Sequence, residues 1–94
     1  MAASSDPSSS LATLLRKTKS HEDLKRLLMD LLTPAELEDL NSRVAIIRKL
    51  LAGEKQRAVS HTLGVSISKV TRGAHLIKYG SGSLAALLKH SSGS

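Results

Sequence analysis

The sequence has no cysteine, no tryptophan and no phenylalanine, and its only large aromatic is Tyr79. Without cysteine, neither a disulfide framework nor a thiolate metal site can form. Without Phe or Trp, a core must be built from aliphatic Leu, Ile, Val and Ala faces. At 94 residues the chain is near the lower size at which one such core is sufficient, so pairing with a second copy would add much stability. No apolar run reaches the roughly 18 residues needed to span a bilayer. The start "MAASSDPSSS" lacks the basic opening and apolar stretch of a signal peptide. These absences lead us to expect a soluble cytoplasmic protein. Strand signals are missing as well. No segment alternates apolar and polar residues, and most apolar positions follow the helical period, which predicts an all-α fold of about six helices.

Acidic residues are scarce in one half only. Residues 1–53 carry eight Lys/Arg and seven Asp/Glu, whereas residues 54–94 carry six Lys/Arg and a single acid, Glu54. The net charge of +6 is therefore concentrated in the second half. A basic half joined to a near-neutral half is the electrostatic footprint of a nucleic-acid binder.

What is present is helical punctuation. The Ser-rich residues 1–10 read as a disordered arm and 91–94 as a flexible tail, which leaves a helical domain over 11–90. A short helix is expected from Leu11 to about Thr18. Ser20, with Asp23 three residues on, opens a helix to about Leu31, whose Leu24, Leu27, Leu28 and Leu31 share one face. In "TPAE" Thr33 can cap, Pro34 suits the first helical position and Glu36 completes a capping box. That helix should reach Ala52 and stop at Gly53, with Leu37, Leu40, Val44, Ile47, Leu50 and Leu51 as its stripe. After a break at "YGSGS", "LAALLKH" reads as a last short amphipathic helix.

The stretch 56–78 carries the chemistry. A helix from about Gln56 to Leu63 would bury Ala58, Val59 and Leu63. Gly64 can take positive φ in a tight turn, and Val65 fills the space beneath it. Ser66 then caps a helix from Ile67 to about Ile77, packed inward through Val70, Ala74 and Ile77. This is the helix-turn-helix pattern, whose second helix enters the major groove with its N-terminal residues leading. Ser66, Ile67, Ser68, Lys69 and Thr71 occupy that leading end, where Lys reaches guanine acceptors and Ser reaches several base edges. Gln56, Arg57 and Lys78 are placed for phosphates or flanking edges, which fix register. No enzyme is expected: His21, His61, His75 and His90 lack metal-ligand spacing, and no nucleophile–base arrangement or phosphate-binding loop is evident. The plain reading of the same segment is an ordinary helical hairpin with a solvated basic face.

"LTP", "SRV", "LLAGE", "QR", "LGVSI" and "TRG" occur in one order and spacing from residue 32 to 73. In this the chain resembles the bacterial Trp repressor family over roughly residues 11–90, most strongly from Leu31 to Lys78. The resemblance implies an intertwined homodimer with two reading heads on a near-palindromic double-stranded DNA operator, meeting major grooves about 34 Å apart. It implies L-tryptophan as co-repressor, no other cofactor, and no membrane partner. The family's indole-sandwiching arginines correspond to Arg43 and Arg72, and guanidinium planes suit an aromatic face while Arg72 can also pair with the carboxylate. Leu32, Thr33 and Gly73 complete the implied ligand site, with Thr33 at the carboxylate and Gly73 leaving room for the ring.

The chain departs from the family pattern at specific places. Leu76 replaces a serine that contacts the ligand's amino group. Asp30 stands where an apolar residue is usual at the pocket rim. One residue is missing between Glu54 and Gln56, and Lys69 replaces a threonine at the recognition tip. Leu76 and Asp30 keep open a related regulator that responds to another indole or aromatic acid, or to no small ligand, while the missing residue bears on the start of the first reading helix and Lys69 on the operator sequence. A helical protein–protein adaptor is a third reading, and the charge after residue 53 argues against it.

Overall fold

The structure, a computed structural model, describes residues 6–92, with side chains through Lys89. Among these residues there are six helices and no strand: α1 (Pro7–Arg16), α2 (His21–Leu31), α3 (Pro34–Leu51), α4 (Gln56–Leu63), α5 (Ile67–Tyr79) and α6 (Ser83–Ser92). The expected all-α fold of about six helices is the observed one. Two compact units form, one ending at Leu37 and one beginning at Glu38.

In the first unit, α1 starts four residues earlier than the sequence reading placed it. Asp6 is its N-cap, accepting from the Ser8 backbone N–H at 3.0 Å and the Ser8 hydroxyl at 2.7 Å, and Pro7 takes the first helical position. The fixed φ of Pro7 and the Asp6 carboxylate satisfy the helix start, so residues 7–10 are helical rather than part of an arm. Residues 1–5 of that expected arm lie outside the described residues, as do 93–94 of the expected tail, while α6 runs on to Ser92. Ser20 caps α2 as expected, accepting from the Asp23 N–H at 3.0 Å. The box at the start of α3 is reciprocal: the Thr33 hydroxyl accepts from the Glu36 N–H at 3.1 Å, and Glu36 accepts from the Thr33 N–H at 2.9 Å. Neither α1 nor α2 contains a buried residue, despite the apolar faces of both.

The second unit holds the core. Ile46 from α3, Val59 from α4 and Val70 from α5 are buried together, with Leu50, Leu63 and Val65 packed against them. Ile46, absent from the expected stripe, is one of its most buried residues, and Leu40 on that stripe is exposed. The helical angle explains the shift: the face that α3 presents to α4 and α5 is centred on Ile46 and Ile47. Ala58, expected inside, is exposed, and Val65 is half-buried. The inward side of α4 runs through Val59 and Leu63, four residues apart, which turns Ala58 outward.

The turn between α4 and α5 is fixed from both sides. Gly64 adopts φ +66° as the left-handed cap of α4, a conformation that costs any residue with a Cβ. The Val65 N–H donates to the Ser60 carbonyl at 3.1 Å, and the Ser60 hydroxyl donates to the Val65 carbonyl at 2.6 Å. Ser66 then caps α5 by accepting from the Lys69 N–H at 3.3 Å. α5 continues two residues beyond the expected Ile77, to Tyr79, and α4 packs against it.

Candidate ligand pocket and nucleic-acid interface

The close approach of α5 to α3 begins at Gly73. A Cβ there would stand 2.8 Å from Ile46 Cγ2 and 3.3 Å from Ile47 Cδ1. Only a glycine lets the two helices meet at this level without displacing buried, stiff isoleucines. The family resemblance implies that Gly73 leaves room for a ligand ring, and the packing against α3 is a second reason for a glycine there.

Beside this contact, within the second unit, lies a cavity of about 620 Å³, a size suited to a small ligand. Leu40, Val44, Ile46 and Ile47 from α3, Leu76 from α5 and Leu84 from α6 give it an apolar lining. The remaining polar wall is chiefly cationic: Arg43 from α3, with Lys69 and Arg72 from α5, joined by Ser42 and His75. One carboxylate, Asp39, also lines it. An apolar floor under guanidinium groups can hold a flat aromatic body and neutralise an acid group. Arg43, Arg72 and Gly73 of the expected ligand set are therefore brought to one cavity. Leu32 and Thr33 belong to the first unit, where Leu32 is half-buried and Thr33 is occupied in capping α3. Asp30, exposed, lies in that unit too.

Asp39 is the residue that sequence reasoning missed. One of its oxygens accepts from Arg43 Nη2 at 2.9 Å and the other lies 3.7 Å from Lys69 Nζ. The i,i+4 spacing of Asp39 and Arg43 on one helix was a readable signal. Its meeting with Lys69, thirty positions away, required knowing that α5 crosses α3 here. These pairs are partly exposed, so each contributes at most about 1 kcal/mol. Arg72 has no acidic partner among the described residues.

The expected reading surface is accessible. Ser66, Ile67, Ser68, Lys69 and Thr71 are all exposed at or near the start of α5, and Ser66 and Ser68 share a hydrogen bond at 3.1 Å. Thr71 donates its hydroxyl to Gln56 Oε1 at 3.1 Å, which ties the start of α4 to α5. Arg57 and Lys78 are exposed, and Lys78 Nζ sits 5.5 Å from the Tyr79 ring centroid. Tyr79 in turn stacks obliquely on His75, with centroids 4.7 Å apart.

A helix-turn-helix unit with a cationic pocket beside its second helix is the arrangement of a helical regulator. Residues 8–92 match the family model described as Trp repressor protein. The chain is 48% identical over 65 residues to a "Trp operon repressor homolog" of Xylella fastidiosa (strain M23), covering 68% of this chain and 71% of that one. It is 41% identical over 69 residues to a protein of the same name from Vibrio campbellii, covering 72% and 69%. The corresponding Vibrio cholerae protein is 42% identical over 66 residues, covering 69% and 64%. No solved structure matches the chain significantly. The chain belongs to the Trp repressor family.

Proposed function

We propose that this chain is a dimeric, sequence-specific DNA-binding transcriptional repressor that acts in the cytoplasm and is activated for operator binding by L-tryptophan as co-repressor. The observation that carries the reading is the shared position of Arg43, Arg72 and Gly73 on one apolar cavity. The wall of that cavity includes the helix that bears the reading residues, so a ligand held there bears directly on how α5 is set. A ligand that favours one setting of α5 shifts the population towards the DNA-competent form. The similarity to relatives named Trp operon repressor homolog supports tryptophan as the ligand.

The dimer is supported by what the single chain leaves unburied. Leu11, Leu14, Met29 and Leu31 are all exposed, and the helices that carry them contain no fully buried residue. Apolar faces of this extent are unfavourable in water until they are covered. Two heads per dimer would then read two half-sites one helical turn apart. No described helix is long and apolar enough to cross a membrane.

A second reading, in which another indole or aromatic acid is the effector, is favoured by Leu76, which gives the pocket a methyl-bearing wall instead of a hydroxyl. The test for both is selection of duplexes from a random pool by the purified protein with L-tryptophan, with an aromatic acid that lacks the amine, or with no ligand. Enrichment of a near-palindrome only with L-tryptophan is the expected result. A palindrome enriched equally without ligand would contradict effector control, and enrichment of no sequence would contradict the repressor itself.

A further inference from the structure

We infer that His75 and Tyr79 extend the DNA-facing side of α5 into an anchor for a backbone phosphate, in which the His75 imidazole takes up a proton as it meets the phosphate. The inference rests on the DNA-binding reading above and adds to it a contact beyond the leading end of the helix.

Helical spacing fixes the face. Ser68, Thr71, His75 and Lys78 follow one another at three, four and three residues, which puts them on one side of α5. All four are exposed, whereas Val70 on the other side is buried and Gly73, Ala74 and Ile77 are half-buried. A helix that enters the groove with Ser68 leading therefore carries His75 and Lys78 along the same side, towards the rim where backbone phosphates lie.

Tyr79 holds the two basic groups together. Its ring centroid lies 4.7 Å from that of His75, and Lys78 Nζ is 5.5 Å from it. Tyr79 is itself 65% exposed, so burial does not account for this arrangement. An aromatic face attracts an ammonium and a charged imidazole alike, and it limits the side-chain freedom that both would otherwise lose on binding. The charged groups around His75 are Arg72 and Lys78 on α5, together with Asp39, Arg43 and Lys69 on the cavity wall that it shares. The one carboxylate among them, Asp39, is paired with Arg43 and Lys69, and α5 itself carries no Asp or Glu. From α4 the uncharged Gln56 reaches this face through Thr71, and α6 brings Leu84. No carboxylate pairs with His75 among the described residues, so its anionic partner comes from outside. A phosphate favours the charged ring, and imidazole changes charge between about pH 5 and 8. Duplex binding therefore takes up a proton and tightens as the pH falls through that range.

The test follows binding of the full-length protein to the selected operator, and to an unrelated duplex of equal length, by fluorescence anisotropy over a range of salt at about pH 6 and about pH 8. L-Tryptophan is held at one saturating excess throughout, so that occupancy of the cavity stays constant. We expect the wild-type protein to bind both duplexes several-fold more tightly at the lower pH, with a salt slope steeper by about one. His75→Asn should remove both effects. Tyr79→Leu should weaken them, while Tyr79→Phe, which keeps the ring, retains them. His21→Asn, which removes an imidazole from α2, should leave both in place. A wild-type salt slope that is the same at the two pH values, or a pH effect that survives in His75→Asn, overturns the phosphate contact. A pH effect confined to the operator overturns it as well, since every duplex has the same backbone. Full effects in Tyr79→Leu overturn the role of the ring. Failure of the wild-type protein to bind either duplex overturns the DNA-binding reading itself.

Discussion

Gly73 shows how one residue can serve packing and binding together. Replacing glycine by alanine inside a helix normally stabilises it by about 0.5–1 kcal/mol. At Gly73 the new methyl would meet Ile46 Cγ2 at 2.8 Å, and Ile46 is buried and β-branched, so it has little room to turn away. Overpacking of this kind costs about 1–3 kcal/mol, which exceeds the propensity gain. Gly73→Ala should therefore lower stability by about 1 kcal/mol, or a Tm loss of roughly 4–8 °C for a chain of this size. Thermal unfolding followed by circular dichroism measures it, and an unchanged or raised Tm would mean that α5 does not approach α3 this closely. Other residues were legible for simpler reasons. Thr33, Ser20 and Ser66 were expected as caps because a hydroxyl in that place accepts an N–H whatever the rest of the chain does. Asp39 was not legible as a pocket residue, because its contact with Lys69 exists only once two helices have crossed.

The helices themselves were readable where local chemistry decides their ends. α4 matches its expected bounds because Gly64 ends it with a left-handed residue, and α3 stops before Gly53, which has φ +95°. The Ser-rich composition of residues 1–10 points to an arm, but the Asp6–Pro7 pair within it starts α1. That pair brings a dependence on acidity. The Ser8 hydroxyl and backbone N–H, both donating to Asp6, hold its carboxyl below the ordinary value of 3.8. A depressed folded value means that the cap stabilises α1 above the unfolded value and that this is lost as pH falls from about 3.8 through the folded one. Comparing acid titrations of the wild-type protein and Asp6→Asn by far-ultraviolet circular dichroism should show a small helical loss below pH 3.8 in the wild type that the variant lacks. Identical curves would mean that the Asp6 carboxylate does not cap α1.

For the whole molecule, periodicity and charge placement gave the all-α class and the basic reading half, since both are sums over many residues. Which turn of α3 would be buried was less legible: Leu40 and Ile46 are equally apolar in the sequence, and only the approach of α4 and α5 separates them. Leu11, Leu14, Met29 and Leu31 of α1 and α2 stay exposed in a single chain, so the protein should sediment at twice its 10.0 kDa mass at micromolar concentration, and a monomer at that concentration would contradict the dimer. In the proposed function, an aromatic amino acid held between Arg43 and Arg72 governs the reading head. Calorimetric titration of L-tryptophan into the purified protein tests it most directly, and since the chain has no tryptophan of its own, the ligand's indole fluorescence gives an independent signal. Saturable binding of one L-tryptophan per protomer is expected, lost in Arg72→Ala while the dimer persists. Absence of heat and of any change in indole emission would contradict it.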